Sequence, residues 1–260
     1  MKRITVVFTF SILLFSCSKE VDYSCNGGGD VGDLCKEIRY YDGKLEQVVE
    51  YNYNQEGVVE SSLFKNADEQ EIGRKVRSYD DQNRLVAMNY TNGDKELIKT
   101  EEWKYEGDLL QTYQVLDFDI VNTYDYTYQN TGGYDLVASE KYYTGGILRG
   151  VKLFVYVESD TAVHRIDFLD EYEEENGFAL CTWFGSNTYK KEFFNQQGEL
   201  LNYEVNLFEG DQQLKNHRKY DLQGKLIYEA EYFNEGGVLQ QLLVTQENQS
   251  GSRTEYIYVE

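Results

Sequence analysis

The sequence predicts an all-β fold, an antiparallel meander built from repeated hairpins, on two observations. A turn template recurs down most of the chain: Tyr or Phe, then Asp or Asn, two free positions, Gly or Asn, one free position, and Leu or Val. Between its copies, apolar and polar residues alternate with the two-residue period of a strand. The best helical window, residues 67–78, contains Gly73 and reads equally well as a strand.

The chain begins with a segment of another kind. Lys2 and Arg3 precede an apolar run, residues 4–15, which is too short to span a bilayer and has the layout of a signal-peptide core. The run ends in LLFSCSKE, with Leu14 three positions before Cys17 and the small Ser16 directly before it. This resembles a bacterial lipoprotein signal. The resemblance implies removal of residues 1–16, diacylglycerol on the Cys17 thiol and acylation of the new amino terminus, since stable anchoring takes more than one acyl chain. The alternative is an ordinary secretory signal with an incidental cysteine. Ser18 is not the aspartate that keeps some lipoproteins at the inner membrane, and SKEVD is similar to the Lys-acidic export tag of Bacteroidota surface lipoproteins, interrupted by Val21. The expected location is the outer membrane, lipid-anchored, with surface exposure or a periplasmic aspect both open.

Residues 17–36 are polar and glycine-rich, as a flexible tether is. GGGDVG, residues 27–32, spells the dinucleotide pattern but follows no strand and opens no helix, so it lacks the context that gives the pattern meaning. Cys25 and Cys35 flank this loop. They either pair in an oxidising compartment, tying the tether to the domain, or remain two free thiols. Cys181, in FALCTWF, is expected to be a buried thiol.

The repeat domain is expected over residues 37–260. The template matches residues 53–59, 79–85, 194–200, 220–226 and 233–239, with shortened forms at 41–45 (YDGKL) and 105–109 (YEGDL) and looser ones around Gly93, Gly133, Gly146 and Gly210. Asp or Asn bonds its own backbone two residues on, and Gly or Asn takes the positive φ that closes a type I turn with a bulge; the short forms use a two-residue turn. Tyr124, Tyr126 and Tyr128 fall on one face of a strand, as do Leu226, Tyr228, Ala230 and Tyr232, opposite Glu229 and Glu231. Two shapes fit such a chain: an open twisted sheet, or one curled into a barrel or sandwich. An open sheet would leave a long edge strand, free to pair between chains.

The template is similar to the Tyr-Asp (YD) repeats of Rhs-type proteins, matched by Tyr79, Asp80, Arg84 and Leu85 and by Tyr220, Asp221, Gly224 and Leu226, and it looks like the MORN-like variant repeats of a bacterial antitoxin family. The resemblance runs from about Arg39 to the end, with a weak patch over residues 151–185. It implies a way of building sheet; the toxin-enclosing shells of large Rhs proteins need far more chain.

Chemistry is sparse. A formal charge of -21, from 46 acidic and 25 basic residues, opposes nucleic acid and anionic membrane surfaces, so no nucleic-acid partner is expected. The two histidines, His164 and His217, have no partner at metal spacing, and no metal or cofactor is expected. The acidic run of residues 170–175 reads as a solvated loop, with calcium or carboxylate chemistry as the alternative. With 24 Tyr and 13 Phe, the aromatics are the candidate ligand contacts: Trp103, Trp183, Tyr124, Tyr126 and Tyr128, against the alternative that they are sheet core. The sequence SDTAV, with Asp160, Thr161 and Ala162, resembles the O-glycosylation signal of Bacteroidota. The expected protein is not an enzyme but a lipid-anchored envelope or cell-surface binding or scaffolding module with a protein or glycan partner. An immunity protein binding a toxin, or a carbohydrate-active protein, are the alternatives.

Overall fold

The structure is a computed structural model in which residues 25, 29–30, 32–156, 162–210, 213–235, 238–247 and 251–258 are described. Cys17, the signal segment, most of the tether including Gly27 and Gly28, and Asp160 and Thr161 lie outside them. The chain forms β1 (Leu34–Tyr41), β2 (Lys44–Tyr53), β3 (Val59–Asn66), β4 (Glu71–Tyr79), β5 (Leu85–Asn92), β6 (Leu97–Glu106), β7 (Leu109–Asp117), β8 (Ile120–Thr131) and β9 (Tyr134–Thr144). It continues with β10 (Ile147–Tyr156), β11 (Val163–Leu169), β12 (Glu175–Phe184), β13 (Thr188–Phe194), β14 (Leu200–Glu209), β15 (Gln213–Asp221), β16 (Leu226–Glu235), β17 (Val238–Gln246) and β18 (Ser252–Tyr258). β1 begins inside the expected tether, and β10, β11 and β12 occupy the weak patch of the repeat among the described residues.

Each strand pairs antiparallel with the next, and β1 pairs with β18 from Leu34 opposite Tyr258 to Tyr41 opposite Ser252. The meander is therefore closed into an 18-stranded barrel. Of the two shapes left open by the sequence, the open twisted sheet is excluded by this seam, and with it the unpaired edge that would have invited pairing between chains.

The turns explain why the hairpins form. Asn54, Asn66, Asp80, Asn92, Asp170, Asn195 and Asp221 head turns of one geometry. In each, the amide donates to the carbonyl four residues on, and the carbonyl accepts from the amide three residues on. The side-chain oxygen accepts from the amide four residues on. The fourth residue of each turn has positive φ: Gly57, Glu69, Asn83, Lys95, Glu173, Gly198 and Gly224. This is a type I turn closed by a left-handed residue. The acidic run is one of these turns, with Asp170 accepting the amides of Tyr172 and Glu174.

Bulges follow the turns. Tyr79 pairs with Leu85 while Ser78 pairs with Ala87, leaving Val86 extra, and similar shifts recur around the ring. Bulges bend and twist a strand, which helps a meander of short hairpins to close. They also correct one expectation. Tyr220 pairs with Leu226 and Lys219 with Tyr228, so the extra Ile227 places Leu226 on the face opposite Tyr228.

Tracing the register around the ring separates two faces. One carries Glu37, Val49, Ser62, Lys75, Tyr90, Glu101, Tyr113, Tyr124, Tyr142, Lys152, Phe168, Ala179, Phe193, Lys219 and Ala230. Its charges act across several strands, with Lys75 on β4 feeling Arg39 and Glu37 on β1, as on a concave wall. The other face, the convex one, carries Val76, Leu153 and Val155, all exposed, and also Ile38, Val151 and Asn216, which are buried. Ile166, Ala179 and Cys181 form a buried cluster on the inner wall, packed by Phe154, Phe168, Tyr189 and Phe193.

A sandwich would bury its inner faces against each other, whereas most described positions on both faces of this ring keep partial solvent exposure.

Candidate functional site

On the inner wall of β6 to β9 the register lines up one aromatic residue per strand. Trp103 lies opposite Tyr113, Tyr113 opposite Tyr124, and Tyr124 opposite Tyr142. Their rings stack in sequence at 5.1, 5.6 and 5.0 Å between centroids. Cross-strand neighbours sit close enough for such pairs to interact directly. The ladder ends at Tyr142, because the next residue along the row, on β10, is Gly150. No further ring stacks on Tyr142 among the described residues.

The space left at that end is a cavity of about 330 Å³ lined by Tyr124, Tyr142, Gly150, Phe168 and the Glu140–Lys152 ion pair, 2.6 Å across. Tyr142 is held by its hydroxyl, which donates to Asn122 Oδ1 at 3.2 Å and accepts from Thr144 at 2.8 Å. Glu101, nearly buried, anchors the other end. It accepts from Tyr113 at 2.7 Å and Tyr90 at 2.9 Å and pairs with Lys99 at 2.6 Å. Burial works to raise the Glu101 carboxyl, but the hydrogen bonds from Lys99, Tyr113 and Tyr90 hold it below its ordinary value. Tyr113 and Tyr90 move the other way, raised by burial and then by the bond to Glu101.

The structure brings together Trp103 and Tyr124 of the residues singled out in the sequence. Tyr126 is their neighbour on the same wall, its hydroxyl pushed up to about 12 by burial and then by the charge of Glu140. Tyr128 lies at the strand end and donates to the carbonyl of Leu110 at 2.7 Å. Trp183 belongs to another sector, tilted against Tyr189 and Phe208 and 41% exposed. Tyr113 and Tyr142, which complete the ladder, escape a reading of single strands; only the cross-strand register shows them.

Cys25 and Cys35 are disulfide-bonded, and Cys181 is a buried free thiol. His217 is bonded to Asn206 at 2.5 Å and edges against Tyr228. Among the described residues no group of three or more His, Cys, Asp or Glu side chains is placed to hold a metal. No helix among them is long and apolar enough to cross a membrane, which says nothing of a β-barrel. The convex face carries ion pairs at strand positions: Glu50 with Lys65 at 2.6 Å, Lys190 with Glu192 at 2.7 Å, Arg218 with Glu229 at 2.6 Å and Arg165 with Asp167 at 2.5 Å.

No protein-family model matches the sequence, and no curated protein matches it. Among solved structures the chain is similar to a porin-like protein from Bacteroides uniformis, at 10% identity and a TM-score of 0.45, covering 89% of this chain and 99% of that one. A porin-like protein from Bacteroides vulgatus is similar at 8% identity and a TM-score of 0.42, covering 87% and 98%. The TcdB2-TccC3-TEV structure is similar at 11% identity and a TM-score of 0.35, and the match covers 82% of this chain and 15% of that one.

Proposed function

We propose that this chain is a non-catalytic envelope module, a β-barrel lipoprotein held by lipid on Cys17, which binds a glycan against its inner wall. The observation that carries the reading is the ladder from Trp103 to Tyr142 and the slot at its end. A sugar ring presents an apolar face to an aromatic ring and hydroxyls to its edges. Over Gly150 it would take the place of the missing rung on Tyr142, with Glu140 and Lys152 beside it as acceptor and donor.

The convex face supports a barrel that stands in water. A membrane-spanning barrel turns an apolar band outward, and a charged residue on that band costs about 2–4 kcal/mol at the midplane for Arg or Lys. The ion pairs on β2, β3, β13, β15 and β16 do not suit such a band, so the membrane attachment is assigned to the acyl chains.

The test is binding of a glycan panel to the full chain purified in detergent, beside Tyr142→Leu, Lys152→Met and a Trp183→Ala control. Saturable binding lost in the first two and kept in the third is expected. Uniform binding across all four proteins would remove the slot from the reading. Acyl labelling of the wild type and of Cys17→Ser tests the anchor, with label lost in the variant.

A further inference from the structure

Among the described residues, the inner wall next to the ladder holds two cations without a carboxylate partner. Four cationic side chains converge on the wall of β1, β4 and β6: Arg39, Lys75, Arg77 and Lys99. Arg39 pairs with Glu37 at 2.6 Å and Lys99 with Glu101 at 2.6 Å. Lys75 and Arg77 pair with no carboxylate among the described residues. Arg77 donates to Ser62 Oγ at 2.8 Å, which leaves most of its guanidinium donors over. The Lys75 ammonium lies 5.1 Å from the centre of the Phe64 ring and 4.8 Å from that of Tyr90, so it is held over aromatic faces.

Such a pair is unexpected in a chain with a net charge of -21, where carboxylates are abundant. Its cost is visible in Lys75, whose ammonium is held below its ordinary pKa by burial and then by repulsion from Arg77 and Arg39. A cavity of about 200 Å³ opens beside Lys75, lined also by Gln47, Phe64, Gly73, Tyr90 and Arg74, the last paired with Glu71. Arg77 stands two residues further along the same face of β4, outside that lining. Gly73 keeps the wall in place, since a Cβ there would sit 2.8 Å from the Thr91 carbonyl.

We propose that Lys75 and Arg77 form an oxyanion site on the inner wall, which takes a sulfate or carboxylate group. A guanidinium fork beside a point cation matches the oxygens of either group, and a concave wall strengthens the field of both. Tyr90, which contacts Lys75, also donates to Glu101, the anchor of the ladder. The oxyanion is therefore either free in solution or carried on an acidic sugar whose ring lies toward the ladder; only the second source rests on the glycan reading.

The experiment is calorimetric titration of the full chain in detergent, at constant ionic strength, with three probes: inorganic sulfate, an oligouronide, and the same oligosaccharide with its carboxyls reduced to alcohols. The expected result is saturable sulfate binding that weakens at least tenfold in Lys75→Met/Arg77→Gln and is unchanged in Trp183→Ala. An oligouronide preferred at least tenfold over its reduced form assigns the oxyanion to a sugar. Sulfate binding with no such preference supports the site and assigns it to a free anion. Absence of sulfate and uronide binding overturns the site, and binding of the reduced oligosaccharide alone would do so while leaving the glycan reading intact. Thermal unfolding separates a structural role: Lys75→Met is expected to melt at or above the wild type, and a clear drop would remove Lys75 from the site.

Discussion

The hydroxyl of Tyr79 donates to the main-chain carbonyl of Val59, 2.7 Å away on the adjacent strand and 20 residues earlier in the chain. The ladder between β3 and β4 stops at Ser61 opposite Val76, so the Val59 carbonyl lies past its last backbone pair. The phenol completes what the backbone leaves open. Tyr53 does the same for Leu34, Tyr105 for Leu85, Tyr128 for Leu110, Tyr156 for Val137 and Tyr258 for Leu239. All six lie on the inner face at the ends of even-numbered strands, along one rim.

Replacing Tyr79 by Phe removes the donor and keeps the ring. The expected loss is about 1 kcal/mol, because a half-buried carbonyl recovers part of the bond from water. Urea unfolding of the variant measures it. Faster hydrogen exchange confined to the ends of β3 and β4 would place the loss at the rim.

Lys95 sits at φ 66° in the turn headed by Asn92, where an L-residue is strained. Lys95→Gly relieves roughly 1 kcal/mol of that strain and returns some of it as extra freedom of the unfolded chain. A net gain of about 0.5 kcal/mol is expected in the midpoint of denaturation. A loss would show that the lysine makes a contact worth more than its strain.

Gly177 presents the opposite case. Its φ is 137°, and a Cβ there would lie 2.4 Å from the Phe194 carbonyl, so β12 and β13 would have to separate. Gly177→Ala is expected to cost at least about 2 kcal/mol. Gly132→Ala, in an open turn with nothing within 4 Å, is the control that feels only backbone strain.

Glu101 gives the fold an acid limit. Its folded pKa lies below the ordinary 4.5, so its contribution is complete above 4.5 and disappears as pH falls through the lower folded value. Tyr90 and Tyr113, raised above 10.0, contribute below pH 10 and lose that contribution as pH climbs through their folded values. Melting temperatures across pH should therefore fall at both ends, and Glu101→Gln should flatten the acid slope selectively. An unchanged slope in the variant would assign the acid limit elsewhere.

The Cys25–Cys35 bridge closes a short loop, with a sequence separation of 10, onto β1 at the seam. A loop of that size stabilises by about 2–3 kcal/mol in the chain-entropy model. Reductant should lower the melting temperature, and alkylation of the unfolded, unreduced protein should label one of the three cysteines beyond Cys17. Three labels would mean that the bridge does not form.

The turns were readable where an aromatic residue precedes Asp or Asn and glycine or Asn closes the turn, as at Tyr79 to Asn83 and Tyr220 to Gly224. The turns headed by Asn66 and Asp170 hid because Lys65 and Leu169 precede them and Glu69 and Glu173 take the left-handed position. The turn headed by Asn92 was legible only as a loose copy around Gly93, because Thr91 precedes it and Lys95, not a glycine, is left-handed. Closure left no local trace: the pairing of β1 with β18 joins residues more than 200 apart, such as Tyr40 and Glu255. The site was half legible for a similar reason. Alternation gave Tyr124 its face, but which residues of β7 and β9 stand beside it depends on bulges, and a bulge moves register by one residue without a fixed sequence mark.

The closed antiparallel ring carries a constraint of parity. Neighbours around it must alternate in direction, so strands can be gained or lost only in twos, and a lone insertion would force one parallel pair somewhere on the circumference. Most hairpins bring their own turn and several bring their own tyrosine fastening, so duplication or deletion of a whole hairpin leaves the remaining ones intact. The gene can widen or narrow the vessel in steps of two strands, and the width of the lumen becomes a heritable count rather than a property of any single residue.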